Sequence, residues 1–181
     1  MKIGLIADTH IPEAGQSLPE MIYDVFKDVD LILHAGDLHV LDVLDWLERI
    51  APVKAARGNG DDGSSGRPPV PEDPRLLPAH ILEIESIRIG LAHSVPDPED
   101  ITWFSLETTM DRIFGGPVDV IVCGSTHVAR VTQHDNVLMV NPGSPTFPNN
   151  LVGQLGTVGM LEVNNGCVSA RIIPLRNESN G

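Results

Sequence analysis

Cations are scarce in this sequence. Twelve lysines and arginines face 25 aspartates and glutamates, for a net charge of −13. Such a surface repels polyanions and forgoes the counterion release that drives nucleic-acid binding. A long DNA or RNA partner is therefore disfavoured, whereas a compact anion entering a locally positive pocket is not. Cysteine is scarce too. Cys123 and Cys167 both fall in strand-like stretches, and their spacing matches no zinc site. Small buried apolar residues in a reducing cytosol explain them better than a disulfide. No apolar run approaches the length of a membrane span, and no charged segment followed by an apolar stretch opens the chain. The expectation is a cytoplasmic protein with no membrane association. What remains is a chain of 181 residues, 41% hydrophobic, with a mean hydropathy of +0.02. That composition suits one globular domain over 1–175, followed by a polar tail over 176–181.

The opening stretch, MKIGLIADTH, organises the rest. Lys2 to Ala7 reads as a buried strand, and it stops at Asp8-Thr9-His10. If the chain stays extended, Asp8 and His10 share a side, because strand side chains alternate with period two. A helix follows, with Ser17 as N-cap and Pro19 in its first turn, running to about Val29. Leu31 to Ala35 is a second buried strand ending in Gly36-Asp37. Leu41 to Ile50 is a second helix, and Val53 to Ala56 a third strand ending in Arg57-Gly58-Asn59-Gly60-Asp61. Strand–helix–strand–helix–strand is the pattern of a parallel α/β sheet, and open sheets of this kind bind ligands at the carboxyl ends of their strands.

The segment 61–78 is rich in Gly, Ser and Pro and reads as a loop. Beyond it, a hairpin over 79–92 ends in His93-Ser94. A helix begins near Ser105, Val118 to Cys123 is a buried strand ending in Gly124-Ser125-Thr126-His127, and four more strands follow. This second half reads as mostly antiparallel, and the loop carrying Trp103 and Phe104 as a candidate apolar contact for a partner subunit, leaving a homo-oligomer open.

The polar residues delivered at strand ends are Asp8, His10, Asp37, Asn59, His93 and His127. Carboxylate, amide and imidazole ligands suit borderline divalent ions. A carboxylate such as Asp37 can bridge two of them, whereas an imidazole holds one. Two ions about 3.5–4 Å apart can clamp both oxygens of an in-line phosphoryl displacement. The other histidines have plainer readings: His34 in the core or behind a ligand, His39 within reach of the pocket, His80 and His134 on strand surfaces. Asp61 reads as a turn residue, and Lys54 and Arg57 as a solvated edge.

The ordered set Asp8-Thr9-His10, His34-Ala35-Gly36-Asp37, Gly58-Asn59-Gly60-Asp61, Ala92-His93-Ser94 and Gly124-Ser125-Thr126-His127 resembles the calcineurin-like metallophosphoesterases, in particular their small single-domain phosphodiesterases. Asn141-Pro142-Gly143-Ser144 resembles a segment that follows these motifs in such members. The resemblance implies an α/β fold: a four-layer α/β/β/α sandwich with two mixed β-sheets. It assigns Asp8, His10, Asp37 and His127 to one divalent ion and Asp37, Asn59 and His93 to a second, with Asp37 bridging. Manganese is favoured, with nickel, iron, zinc or cobalt as alternatives. Asn59 and His93 also face the reacting phosphate of a small phosphoester, hydrolysed by a metal-bridging hydroxide. Two departures stand out. Ser125 occupies the place of a histidine that ligates the second ion, so that site is expected to be the weaker. Gly60 stands where many members carry a histidine that serves as acid. The alternative function is a non-catalytic or weakly catalytic protein-binding scaffold of the same fold, like one retromer subunit.

Overall fold

The computed structural model describes residues 1–99 and 104–176. Its first half lays down β1 (Lys2–Ile6), α1 (Met21–Phe26), β2 (Leu31–His34), α2 (Asp42–Glu48), β3 (Val53–Ala56) and β4 (Leu76–Leu77). Then come β5 (Ala79–Ile84), β6 (Ile87–Ala92), α3 (Leu106–Phe114), β7 (Val120–Val122), β8 (Arg130–His134) and β9 (Val137–Asn141). The hairpin β10 (Thr157–Asn164) and β11 (Cys167–Pro174) closes the order.

Two mixed sheets result. One runs β11-β10-β1-β2-β3-β4, parallel from β1 through β4 and antiparallel at β10 and β11. The other runs β5-β6-β7-β9-β8, parallel from β6 through β7 to β9 and antiparallel at both edges. The second half is thus less antiparallel than its hairpin-like spacing suggests. β8 turns back at the sheet edge, and β7 pairs with β9 rather than with its neighbour in sequence.

The period-two alternation of each strand sorts the core into layers. Ile3 and Leu5 of β1 and Leu31 and Leu33 of β2 point between the sheets, meeting Ile89, Leu91, Val120 and Val122. Ile6 and Ile32 point the other way and pack with Phe26 of α1 and Leu44 and Leu47 of α2. On the far side Met110 and Phe114 of α3 cover Ile121 and Met139. Helix, sheet, sheet, helix is the expected sandwich.

Local departures have local causes. α1 starts at Met21 rather than near Ser17: Ser17 is exposed, while Leu18 is spent as a core anchor before the helix begins. α3 does use its serine cap, with Ser105 Oγ accepting from Thr108 N at 3.1 Å. Cys123 is buried but Cys167 is exposed. His80 is buried rather than on the surface, its Nε2–H shared between the carbonyls of Ala55 at 2.9 Å and Arg75 at 3.2 Å. Trp103 and all but the first residue of the polar tail lie outside the described residues. Phe104 is 52% exposed, with the Arg112 guanidinium 5.1 Å above its ring. Among the described residues no helix is long and apolar enough to cross a membrane.

Candidate metal centre

Parallel strands end together, and here five of them end at one edge of the sandwich. The backbone there is unusual. Asp8, His10, Asp37, His39, Ser125 and His127 all adopt positive φ, between 46° and 75°. Three strand ends therefore carry the same device, two left-handed residues flanking one ordinary one: Asp8-Thr9-His10 after β1, Asp37-Leu38-His39 after β2 and Ser125-Thr126-His127 after β7. Asp8 and His10 are brought together by this turn, not by strand alternation. Each such residue costs on the order of 1 kcal/mol, and the surroundings hold them in place. Asp8 N donates to Gly36 O at 2.9 Å and His10 N to Asp37 O at 3.0 Å, tying the first two loops side by side. Ser144 Oγ donates to Asp8 O at 2.7 Å, and Thr146 Oγ1 to Thr9 O at 2.6 Å. Asp61 accepts from the backbone N–H groups of Asp37, His39 and Gly58 at 2.8, 2.8 and 2.9 Å. It is an organiser of backbone rather than a turn residue.

The six expected ligands converge. Asp8, His10, Asp37 and His127 each bring a ligand atom to within 4.8 Å of the others. The Nε2 atoms of His10 and His127 are 3.1 Å apart, and His10 Nε2 lies 3.5 Å from Asp37 Oδ2. His127 Nε2 is 3.6 Å from Asp8 Oδ1. On the other side of Asp37, its Oδ1 lies 3.5 Å from His93 Nε2, which is 3.2 Å from Asn59 Oδ1. His93 Nδ1–H donates to Ala35 O at 2.7 Å, so in the neutral ring Nε2 carries only a lone pair. Three acceptors then face one another, an arrangement that a cation between them satisfies and water-free packing does not.

The electrostatics agree. Burial, and then the neighbouring Asp37, push the Asp8 carboxyl well above the usual carboxylate range, against the pull of the Ser125 N–H. Burial, and then repulsion by His39, lower His10 to about 4 despite Asp37. Burial also lowers His127. Imidazoles held neutral beside crowded carboxylates are the form that coordinates a divalent ion.

Several further side chains surround these ligands. His39 lies edge-on to His10, with ring centroids 4.4 Å apart. Its Nδ1 is 2.8 Å from Glu13, which also meets Arg67. These partners, acting against burial, hold Glu13 down to about 2. A Cβ added at Gly60 would collide with His39 Nε2, so His39 fills the space that a side chain at position 60 would occupy. Phe147 packs on the rings of His10 and His127. The signal for His39 was present as the repeated Asp-x-His of 8–10 and 37–39. Glu13 and Phe147 carried none. Arg57 is not a solvated edge: it donates to the carbonyls of Asp61, Val70 and Pro71 and fastens much of the 61–78 loop. His34 is the buried support expected of it, and His134 lies on edge strand β8, 3.1 Å from Asp97.

A family profile for the calcineurin-like phosphoesterase superfamily domain matches residues 1–166. The chain belongs to that superfamily. A probable metallophosphoesterase of Methanothermobacter thermautotrophicus is 41% identical over 82% of this chain and 79% of its own length. Among solved structures, Vps29 of Chaetomium thermophilum superposes with a TM-score of 0.74 at 19% identity, covering all of this chain and 90% of its own. An archaeal phosphodiesterase superposes at 0.65 with 23% identity, covering 97% and 100%. The superfamily fold and a cluster able to bind metal are thus joined in one chain, and the sandwich expected of this calcineurin-like domain is the one observed.

Proposed function

We propose that this protein is a binuclear metal-dependent phosphodiesterase acting on a small phosphoester. The observation that carries the reading is the position of Asp37, whose two oxygens face different clusters: Oδ2 towards His10 and Oδ1 towards His93. One ion would be held by Asp8, His10, Asp37 and His127, and the other by Asp37, Asn59 and His93. Bound divalent ions supply Lewis acidity and a water of lowered pKa. Manganese suits the oxygen-and-imidazole donor set. The rest falls to the chain. Asn59, on the exposed lip, orients a phosphate oxygen. His39 takes the place left by Gly60, and Glu13 holds its Nδ1–H, so that the doubly protonated ring gives its Nε2 proton to the departing oxygen and is left neutral. Ser125 leaves the second ion one ligand short, so it binds more weakly than the first.

The test is elemental analysis of protein purified without chelator, paired with hydrolysis of bis(p-nitrophenyl) phosphate across added divalent ions. Rate should rise with metal after one equivalent is bound, and Asp37→Ala should lose both ions. Full turnover in excess chelator would overturn the reading. His39→Gln should slow esters with poor leaving groups by about a hundredfold and nitrophenyl esters far less. The Vps29-like architecture and Ser125 favour a second reading, a protein-binding scaffold. Two bound ions with no turnover of any diester would select it.

A further inference from the structure

Beside the ligand cluster lies a cavity of about 440 Å³ that none of the six ligand candidates lines. The second sheet and its loops build all of it. Among its lining residues Ser94 follows His93, Gly124 packs close against the Asp8 carboxylate, and Ser125 N donates to both oxygens of Asp8 at 3.0 and 3.1 Å. The walls include Val95, Val128 and Met139. The amide of Asn141, another lining residue, is already committed, donating to Gly124 O and Thr126 Oγ1 and accepting from Gly143 N. Arg130, also in the lining, pairs with Asp97 and Glu99, and Asp97 also meets His134. The cationic group in this wall is thus matched by carboxylates.

A volume of this size is that of a small-molecule site. Apolar walls with matched charge do not suit a second phosphate. They suit a neutral ring with polar edges. We propose that the cavity seats the uncharged, ring-bearing arm of a phosphodiester, a nucleoside or aryl group, while its phosphate lies at the ligand cluster. This rests on the phosphodiesterase reading above. His39 comes from the first sheet and the cavity from the second, so the seated arm is the one that stays on phosphorus rather than the one that leaves. Ser125 both lines the cavity and contacts Asp8, and its side chain is smaller than the histidine it replaces in the family pattern.

Two substrates with the same p-nitrophenolate leaving group separate the cases on the manganese-loaded full chain: methyl p-nitrophenyl phosphate and thymidine 5′-(p-nitrophenyl phosphate). The thymidine ester should be preferred in kcat/KM by about tenfold or more, mainly through KM. Thr132→Phe and Val128→Phe, which fill the cavity from two walls, should each bring that ratio towards one. A wild-type ratio of one, or a ratio that neither variant moves, overturns the proposal. If neither ester is hydrolysed, the phosphodiesterase reading fails by itself. The cavity is then read by NMR, titrating thymidine 5′-(methyl phosphate) and following the methyl signals of Val95, Val128 and Met139. Shifts at those methyls support the seat, and their absence overturns it.

Discussion

His34 is wholly buried and charge-free behind the ligand cluster, and its two nitrogens have fixed roles. Nδ1 accepts from Gly36 N at 3.1 Å, which leaves Nε2–H to donate to Thr9 Oγ1 at 3.2 Å. Burial, reinforced by the neighbouring His93, lowers its pKa to about 3 from 6.5. A folded-state pKa below the unfolded one means that the stability tied to His34 is complete above pH 6.5. It is lost as pH falls from there towards 3, because the unfolded chain takes up a proton that the folded chain refuses. Between pH 7 and pH 4 the loss is on the order of 3 kcal/mol. His34→Gln should flatten that part of the stability curve, read by urea unfolding in chelator at pH 7, 5 and 4. Parallel curves for the two proteins would remove His34 from the account. At this scale the sequence showed the donor types but not their supports. Glu13 and Phe147 act across loops whose meeting depends on the fold, and no local pattern marks them, while Asp61 stood in a motif but its three backbone N–H partners come from loops that only the fold brings together.

Elements were more legible, because apolar runs closed by a polar residue are a local signal. β1, β2, β3, β6 and β7 all fall where the runs predicted them, and each ends at a site residue. Helix lengths were harder to read, since α1 and α2 lack a side-chain cap and their ends are set by packing on the first sheet. The turn after β3 shows how tightly elements are fitted. A Cβ at Gly58 would fall on the carboxylate and backbone of Asp37, and Gly60 N donates to Asp37 Oδ1 at 2.7 Å. The β3 turn therefore lies directly against the Asp37 carboxylate. Gly58→Ala should push the two apart and carry Asn59 away from His93. The expected result is about a ten- to hundredfold weaker second ion, as for other losses of support behind a ligand. Metal titration by calorimetry reads it, and an unchanged second affinity would mean that the turn yields without disturbing Asp37.

For the molecule as a whole, the centre lies on the seam between the sheets. Asp8, His10, Asp37 and Asn59 come from the first sheet, His93 and His127 from the second. Without a cation this seam concentrates buried acid in a chain that already carries −13. With one, like charges are neutralised and the two sheets are tied by ligands that the unfolded chain does not preassemble. Binding restricted to the folded state stabilises it by about 2.7 kcal/mol at a hundredfold excess over Kd. In a chain of this length that corresponds to a rise of roughly 5–10 °C in Tm. Manganese should therefore raise Tm in a saturable way, and an equal ionic strength of sodium chloride should not, because surface screening does not bridge the seam. Asp37→Ala separates the two terms further. Removing that carboxylate relieves acid crowding in the metal-free protein yet takes away the bridge, so its Tm should respond little to manganese. A saturable rise of the same size in that variant would place the stabilising ion elsewhere than the seam.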